Sequence, residues 1–105
     1  MNHCVLSGHI TGHPTLIVKG EETPVTVFVL NAAATFPPAG KIIVVCRQPL
    51  AMVAAKYLTE DEYVVIDGYI RLSEFPWKDG KIASDVHIVA SDILRCKGVS
   101  LYQLT

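Results

Sequence analysis

The sequence has little net charge, few cysteines and no long hydrophobic segment, and each absence excludes a class of protein. The 105 residues carry a formal net charge of −1 and only 18% are charged, so the basic excess that is usual in nucleic-acid-binding domains is missing. Half of the residues are hydrophobic, which is typical of a globular chain and not of a disordered one. The apolar runs fall far short of the ~20 residues that a membrane-spanning helix needs. We therefore expect one globular domain without a membrane partner.

Cysteine usage and the N-terminal residues predict where the protein resides. The three cysteines, Cys4, Cys46 and Cys96, are odd in number and lack a C-x-x-C spacing, so we expect reduced packing residues. The N-terminus has neither the basic region nor the apolar segment of a secretory signal. Both observations favour a cytoplasmic protein, or one of the plastid stroma if the organism is an alga.

Motifs that carry catalysis or bind cofactors are also missing. The sequence contains no nucleophile elbow, no H-E-x-x-H and no glycine-rich phosphate loop. The histidines have no spacing that is typical of a metal site; they are His3, His9, His13 and His87. We expect no enzyme activity, no metal, no cofactor and no small-molecule substrate.

Alternating and continuous apolar runs predict five strands. Gly12-His13-Pro14 is expected to end the first strand and a short run at 15–18 to follow it. Residues 92–94 are a candidate extension of the sheet, and residues 96–105 are expected to be a terminal appendage. The predicted strands span approximately residues 3–11, 24–31, 41–47, 63–72 and 82–90.

A single helix is predicted between the third and fourth strands. Leu50, Val53, Ala54, Tyr57 and Leu58 follow the spacing of an amphipathic helix, and the preceding proline suits a first turn. Five strands with one helix in this position is the order of the OB-fold, a small all-β barrel. Another kind of all-β barrel is the main alternative. We expect one domain over residues 1–105, with a core at about 2–95.

The segment between the last two strands places aromatic rings among cations. It reads Ser-Glu-Phe-Pro-Trp-Lys-Asp-Gly-Lys from Ser73 to Lys81. Rings beside cations stack unpaired bases while neutralising their phosphates. Phe75 and Trp77 would share a face of an extended chain, and we expect at least one ring to project outward. The alternative is that Trp77 folds back and anchors the hairpin.

Several stretches resemble the bacterial-type single-stranded DNA-binding proteins. They are 2–14, a strand with an internal glycine and then a proline, the strand at 24–31, the helix at 50–58 and Val-Val-Ile-Asp-Gly-Tyr-Ile-Arg at 64–71. The resemblance implies an OB barrel, usually a homotetramer, that coats unpaired DNA in replication, recombination and repair. The long tail and acidic tip of the family are absent, as in short cyanobacterial, plastid or primosomal relatives.

The resemblance also implies particular site residues. Phe36 and Phe75 match positions where the family stacks bases, Trp77 lies two residues beyond Phe75, and Arg71 matches a basic position. Lys41 and Arg47 stand where the family has aromatic rings, which leaves phosphate contact in place of stacking. The expected nucleic-acid-binding residues are Phe36, Lys41, Arg47, Arg71, Phe75, Trp77, Lys78 and Lys81.

Two functions of different classes follow from these patterns. The first is binding of single-stranded DNA without strong sequence preference, and RNA remains a further alternative. The second is an interaction or assembly module that has largely lost DNA binding, which the near-neutral charge and the two missing rings favour. The first strand is apolar on both faces, with Cys4, Leu6 and Ile10 on one and Val5 on the other, and so is the third strand at 42–46; the outward residues predict a homo-oligomer, a tetramer in preference to a dimer.

Overall fold

Five strands form a closed barrel in the computed structural model, which describes residues 1–18, 20–32, 40–77, 81–95 and 98–104, without the side chains of residues 84 and 85. The neighbouring strands in the barrel are β1-β2-β3-β5-β4, with β3 and β5 parallel and the other pairs antiparallel. The elements are β1 (Cys4–Ile17), β2 (Val25–Asn31), β3 (Lys41–Cys46), α1 (Leu50–Tyr57), β4 (Tyr63–Pro76) and β5 (Ile82–Leu94). This architecture confirms the predicted OB-fold, with one helix between β3 and β4.

The barrel interior is filled by alternate residues of each strand, because successive side chains of a strand point to opposite faces. Leu50, Val53 and Ala54 of α1 join this interior and close one end of the barrel. The hydroxyl of Thr26 donates a hydrogen bond of 2.5 Å to the carbonyl oxygen of Ala51, which ties β2 to the helix. In the part of the chain that the structure describes, no helix is long and apolar enough to cross a membrane.

The first strand is longer than the sequence predicts. Gly12-His13-Pro14 was expected to end it, but β1 continues to Ile17 and pairs with β2 on both sides of this segment. The register shifts between Thr11 and Thr15, and Gly12 has φ +73°. A β-bulge of this kind inserts residues without ending the ladder, so the turn signals mark a bend within one strand.

Beyond Gly68, the two last strands form a hairpin arm. The register of β1 with β4 ends at Gly68, and that of β3 with β5 begins at His87. We call Leu72–Pro76 and Ile82–Val86 the arm. These two segments pair with each other and lie beyond the residues of β4 and β5 that pair with β1 and β3. Next to this junction Asp67 pairs with Asp92 and Gly68 with Ala90, so Ser91 is an extra residue that bends the ladder.

The C-terminal residues pack on the barrel and do not form a loose appendage. A 3₁₀ helix covers Leu101–Leu104, and Leu101 is fully buried in the barrel interior. The backbone N–H of Arg95 donates to the carbonyl oxygen of Val99 at 2.7 Å, and its guanidinium pairs with Glu62 at 2.5 Å. The expected core at residues 2–95 therefore has to be extended to include Leu101.

Candidate nucleic-acid interface

The outer surface of β2 and β3 is as apolar as their inner surface. Val25 and Val27 of β2, and Ile43 and Val45 of β3, alternate with the residues that fill the barrel. Val27 pairs directly with Val45 in the ladder, and directly paired residues project to the same face. The result is an apolar patch outside the barrel, on the β2–β3 face where OB-folds bind oligonucleotides.

The arm lies over this patch. Phe75 is only 3% exposed and packs with Val27 and Val45, which are also buried. Its ring centroid lies 4.5 Å from that of His87 and 6.1 Å from that of Trp77. We call the three buried residues and the partly buried ones around them the exterior cluster. The partly buried members are Ile17, Val25, Ile43, Trp77 and Ala83.

The position of Phe75 bears on its expected stacking role. The ring packs against protein in this structure, so stacking on a base would require it to leave the exterior cluster. The ring of Phe75 lies outside the barrel interior but is not free, because the arm carries it back onto Val27 and Val45 of β2 and β3. Trp77 keeps part of its surface exposed, and its backbone N–H donates to the carbonyl oxygen of Lys81 at 2.8 Å, which closes the arm.

This covering arm also removes part of the reason for expecting a second copy of the chain. The outward residues of β3 were expected to need a cover from another subunit, but Phe75 of the same chain packs with one of them, Val45, which is 4% exposed. Val5 on β1 is different, since it is 58% exposed. Among the strands that were expected to need a cover, β1 thus keeps an exposed apolar residue on its outer face, while Val45 of β3 is buried.

Four of the predicted cations lie around the exterior cluster. Lys41 shares a face with Ile43 and Val45 through the alternation of β3, and it is exposed. Arg71 pairs directly with His87, and His87 pairs with Ile43, so one row of the sheet runs from β3 to β4. Arg47 follows β3 directly, and Lys81 directly precedes β5; both are exposed.

These cations do not belong to the ion pairs of the barrel. Among the described residues, the ion pairs join His3 to Asp67 and Arg95 to Glu62. Within the described residues, the charges of Lys41, Arg47, Arg71 and Lys81 therefore lie around the face without a salt bridge that would neutralise them directly. Phe36 and Lys78, the two remaining predicted residues, lie outside the described residues.

Acidic residues oppose these cations at one end of the arm. A cavity of about 140 Å³ is lined by two carboxylates and three apolar residues, and it lies between the β1–β2 turn and the arm. Its lining residues are Glu22, Glu74, Phe75, Pro76 and Ile82. Two carboxylates repel a phosphate at this place, so a nucleic acid would meet favourable charge only on the side of β3 and Arg71.

His87 is a component of this face that the sequence reasoning missed. It was considered only as a metal ligand, yet its side chain is 2% exposed beneath the ring of Phe75. The alternation of β5 could have identified it, since Ile88 and Ala90 face the interior and His87 must face outward. In the described part of the chain, no group of three His, Cys, Asp or Glu side chains could hold a metal ion.

The two described cysteines differ in their environment. Burial raises the pKa of the Cys46 thiol to about 12, because the barrel interior disfavours a thiolate. The pKa of Cys4 is also raised, first by partial burial and then by the nearby carboxylate of Asp67. Both thiols are therefore protonated near neutral pH, and neither is activated as a nucleophile.

Comparison with known proteins gives a result at the level of the fold. No protein-family model and no curated protein matches the sequence. The backbone is similar to the crystal structure of the SSB domain of a protein from Synechococcus sp., with a TM-score of 0.66 and 20% sequence identity. The match covers 89% of this chain and 93% of that one. The chain therefore has the OB-fold of an SSB domain, as the sequence resemblance implied.

Proposed function

We propose that the chain binds single-stranded DNA on the β2–β3 face and acts in replication, recombination or repair. The observation that carries the proposal is the position of Lys41, Arg71 and Trp77. Lys41 is distant in the sequence from the other two, yet β3, β4 and the arm bring all three to one side of the barrel. The structural similarity to an SSB domain supports the same ligand class. The chain would be a binding protein and not an enzyme.

The mechanism combines one stacking ring with several phosphate contacts. The exposed part of Trp77 stacks a base, which contributes about 1–3 kcal/mol. Lys41, Arg47, Arg71 and Lys81 neutralise the phosphates on either side of that base. Because Glu22 and Glu74 lie at the end of the arm, we expect modest affinity that falls as the salt concentration rises.

Fluorescence anisotropy with a labelled oligothymidine of about 35 nucleotides tests the proposal at about 50 mM salt. We expect micromolar affinity for the single strand and little binding to the duplex of the same length. Trp77→Ala should weaken binding about fivefold or more, because a stacked base is lost. Leu72→Ala is the matched control, since Leu72 is on the opposite face of the arm and contacts none of the proposed site. Binding that is absent, or equal in Trp77→Ala, contradicts the proposal.

A second candidate function is an assembly or protein-interaction module. It is favoured by the exposed face of the arm that carries Leu72, Val86 and Ile82, which we call the convex face. Ile70 and Leu72 continue the inward alternation of β4 past Gly68, where the barrel no longer covers them. Leu72 is 80% exposed, and its partner Val86 is also exposed. With Ile82 and Val5 these residues form apolar surface that a homotetramer or a dimer would bury.

Light scattering distinguishes the assembly proposal from the DNA proposal. A mass of two or four times 11.5 kDa at micromolar concentration supports an oligomer, and we expect four. Leu72→Lys should lower that mass if the convex face of the arm is the interface. A wild-type monomer that binds DNA leaves only the first function, and an oligomer without DNA binding leaves only the second.

A further inference from the structure

The β2–β3 face is covered by Phe75 of the arm. Phe75 fills the middle of the apolar patch and contacts Val27, Val45 and His87, on the surface where an OB-fold receives its ligand. A base that lay flat on this patch would occupy the volume of the Phe75 ring. The ring and the base therefore compete for one place.

The arm extends beyond the residues of β4 and β5 that pair with β1 and β3. The barrel strands pair with their neighbours up to Gly68 on β4 and from His87 on β5, and the arm beyond is a two-stranded hairpin. Isolated two-stranded hairpins have marginal stability in water. The convex face of the arm is exposed at Leu72, Val86 and Ile82. The opposite face, which carries Phe75, therefore supplies the contacts that keep the arm closed.

The end of the arm borders an open pocket. This pocket of about 140 Å³ is lined by Phe75, Pro76 and Ile82 on the side of the arm and by Glu22 of the β1–β2 turn.

We propose that the arm is a movable cover and that Phe75 is a plug which single-stranded DNA must displace from Val27, Val45 and His87. This inference rests on the proposed function, since it describes the regulation of the same site. In the closed arm the patch is occupied by protein. In the open arm a base takes the place of the ring, and Trp77 moves with the arm to stack beside it.

The plug has a measurable consequence for affinity. A ligand that binds only the open form has an apparent affinity reduced by the fraction of molecules that are open. Removing the ring raises that fraction. We therefore expect Phe75→Ala to bind the oligothymidine about three to ten times more tightly than the wild type, under identical salt. A stacking role for Phe75 predicts the reverse, a weaker complex.

A second variant, Phe75→Tyr, tests the same inference in case Phe75→Ala does not fold. Phe75→Tyr keeps the size of the ring and its ability to stack, but it places a hydroxyl in an apolar patch. If the ring is a plug, this variant also opens the arm and binds more tightly. If the ring is a stacking platform, its affinity equals that of the wild type. Circular dichroism confirms that each variant retains the strand content of the wild type.

The outcomes separate this inference from the proposed function. Tighter binding by both variants than by a wild type that itself binds supports the plug, and a wild type that does not bind overturns it together with the proposed function. Wild-type binding that depends on Trp77 but is equal or weaker in both Phe75 variants overturns the plug and leaves the proposed function standing.

Discussion

The barrel interior and the exterior cluster use the same residue types on the same strands, but they are closed in different ways. On β2, Phe28 and Leu30 face the interior, while Val27 faces the exterior cluster. The interior is surrounded by five paired strands, α1 and the C-terminal 3₁₀ helix. The exterior cluster is covered on one side by a hairpin that is attached at one end. This difference implies that the first region determines the fold and the second determines access to the site.

The first prediction concerns how much a side chain of the barrel interior contributes to the free energy of unfolding. Ile66→Ala removes a fully buried side chain of β4, whose neighbours in the ladder are Leu6 and Ile93. We expect the free energy of unfolding to fall by about 2–5 kcal/mol, because lost burial and a new cavity add together. Urea denaturation measures this loss. Val65→Ala, one residue earlier and on the opposite face, is the matched control and should lose less. A loss of less than about 1 kcal/mol from Ile66→Ala would contradict a closed interior.

The second prediction concerns how much Phe75 of the exterior cluster contributes to the free energy of unfolding, again measured by urea denaturation. Phe75→Ala should lower the free energy of unfolding by about 1.5–3 kcal/mol, the value of burying one large side chain. The loss should be smaller than for Ile66→Ala, because the arm can detach while the barrel remains paired. The single tryptophan, Trp77, contacts the ring of Phe75, so its emission should shift to longer wavelength in the folded variant. A loss equal to that of Ile66→Ala would show that the two regions unfold as one.

Much of the barrel could be predicted from the sequence, because its signals are local. The bounds of β2, β3 and α1 agree with the prediction to within one residue. Alternation, continuous apolar runs and a helical period report directly on which faces are buried. The bulge in β1 escaped prediction, since Gly12-His13-Pro14 indicates a turn whether or not the strand continues afterwards.

The candidate site was predicted less completely, because it depends on curvature. Alternation places Phe75 and Arg71 on one face of β4, but it does not show that the arm curls back onto β2 and β3. The burial of Phe75 and the role of His87 both follow from that curl. Leu101 was missed for another reason, since four residues are too few to show a helical period.

The third prediction uses the pH dependence of the interior. The pKa of Cys46 is about 12 in the folded chain against 9.0 for an ordinary thiol, so the unfolded chain loses this proton first. The free energy of unfolding is thus unaffected by Cys46 below pH 9 and falls as the pH rises from 9 towards 12. At about pH 10 the loss is on the order of 1 kcal/mol. Urea denaturation from pH 8 to 10.5 should show a shallower decline in Cys46→Ala than in the wild type, while Cys4→Ala should differ little. Parallel curves for the wild type and Cys46→Ala would place this thiol in contact with water.

The last prediction concerns the charged rim of the exterior cluster, where we expect the smallest effect. Lys81→Gln removes one cation beside Trp77, so about one phosphate contact is lost from the proposed complex. The slope of log affinity against log salt should decrease by about 0.7, with only a few-fold loss of affinity at low salt. Lys56→Gln is the matched control, because Lys56 is an exposed cation on α1 that lies over the ring of Tyr57, away from the arm. Binding titrations with the oligothymidine at four salt concentrations give both slopes. If Lys56→Gln reduces the slope as much as Lys81→Gln, the phosphates do not follow the exterior face. The cover formed by Phe75 would then protect a surface that the nucleic acid does not use.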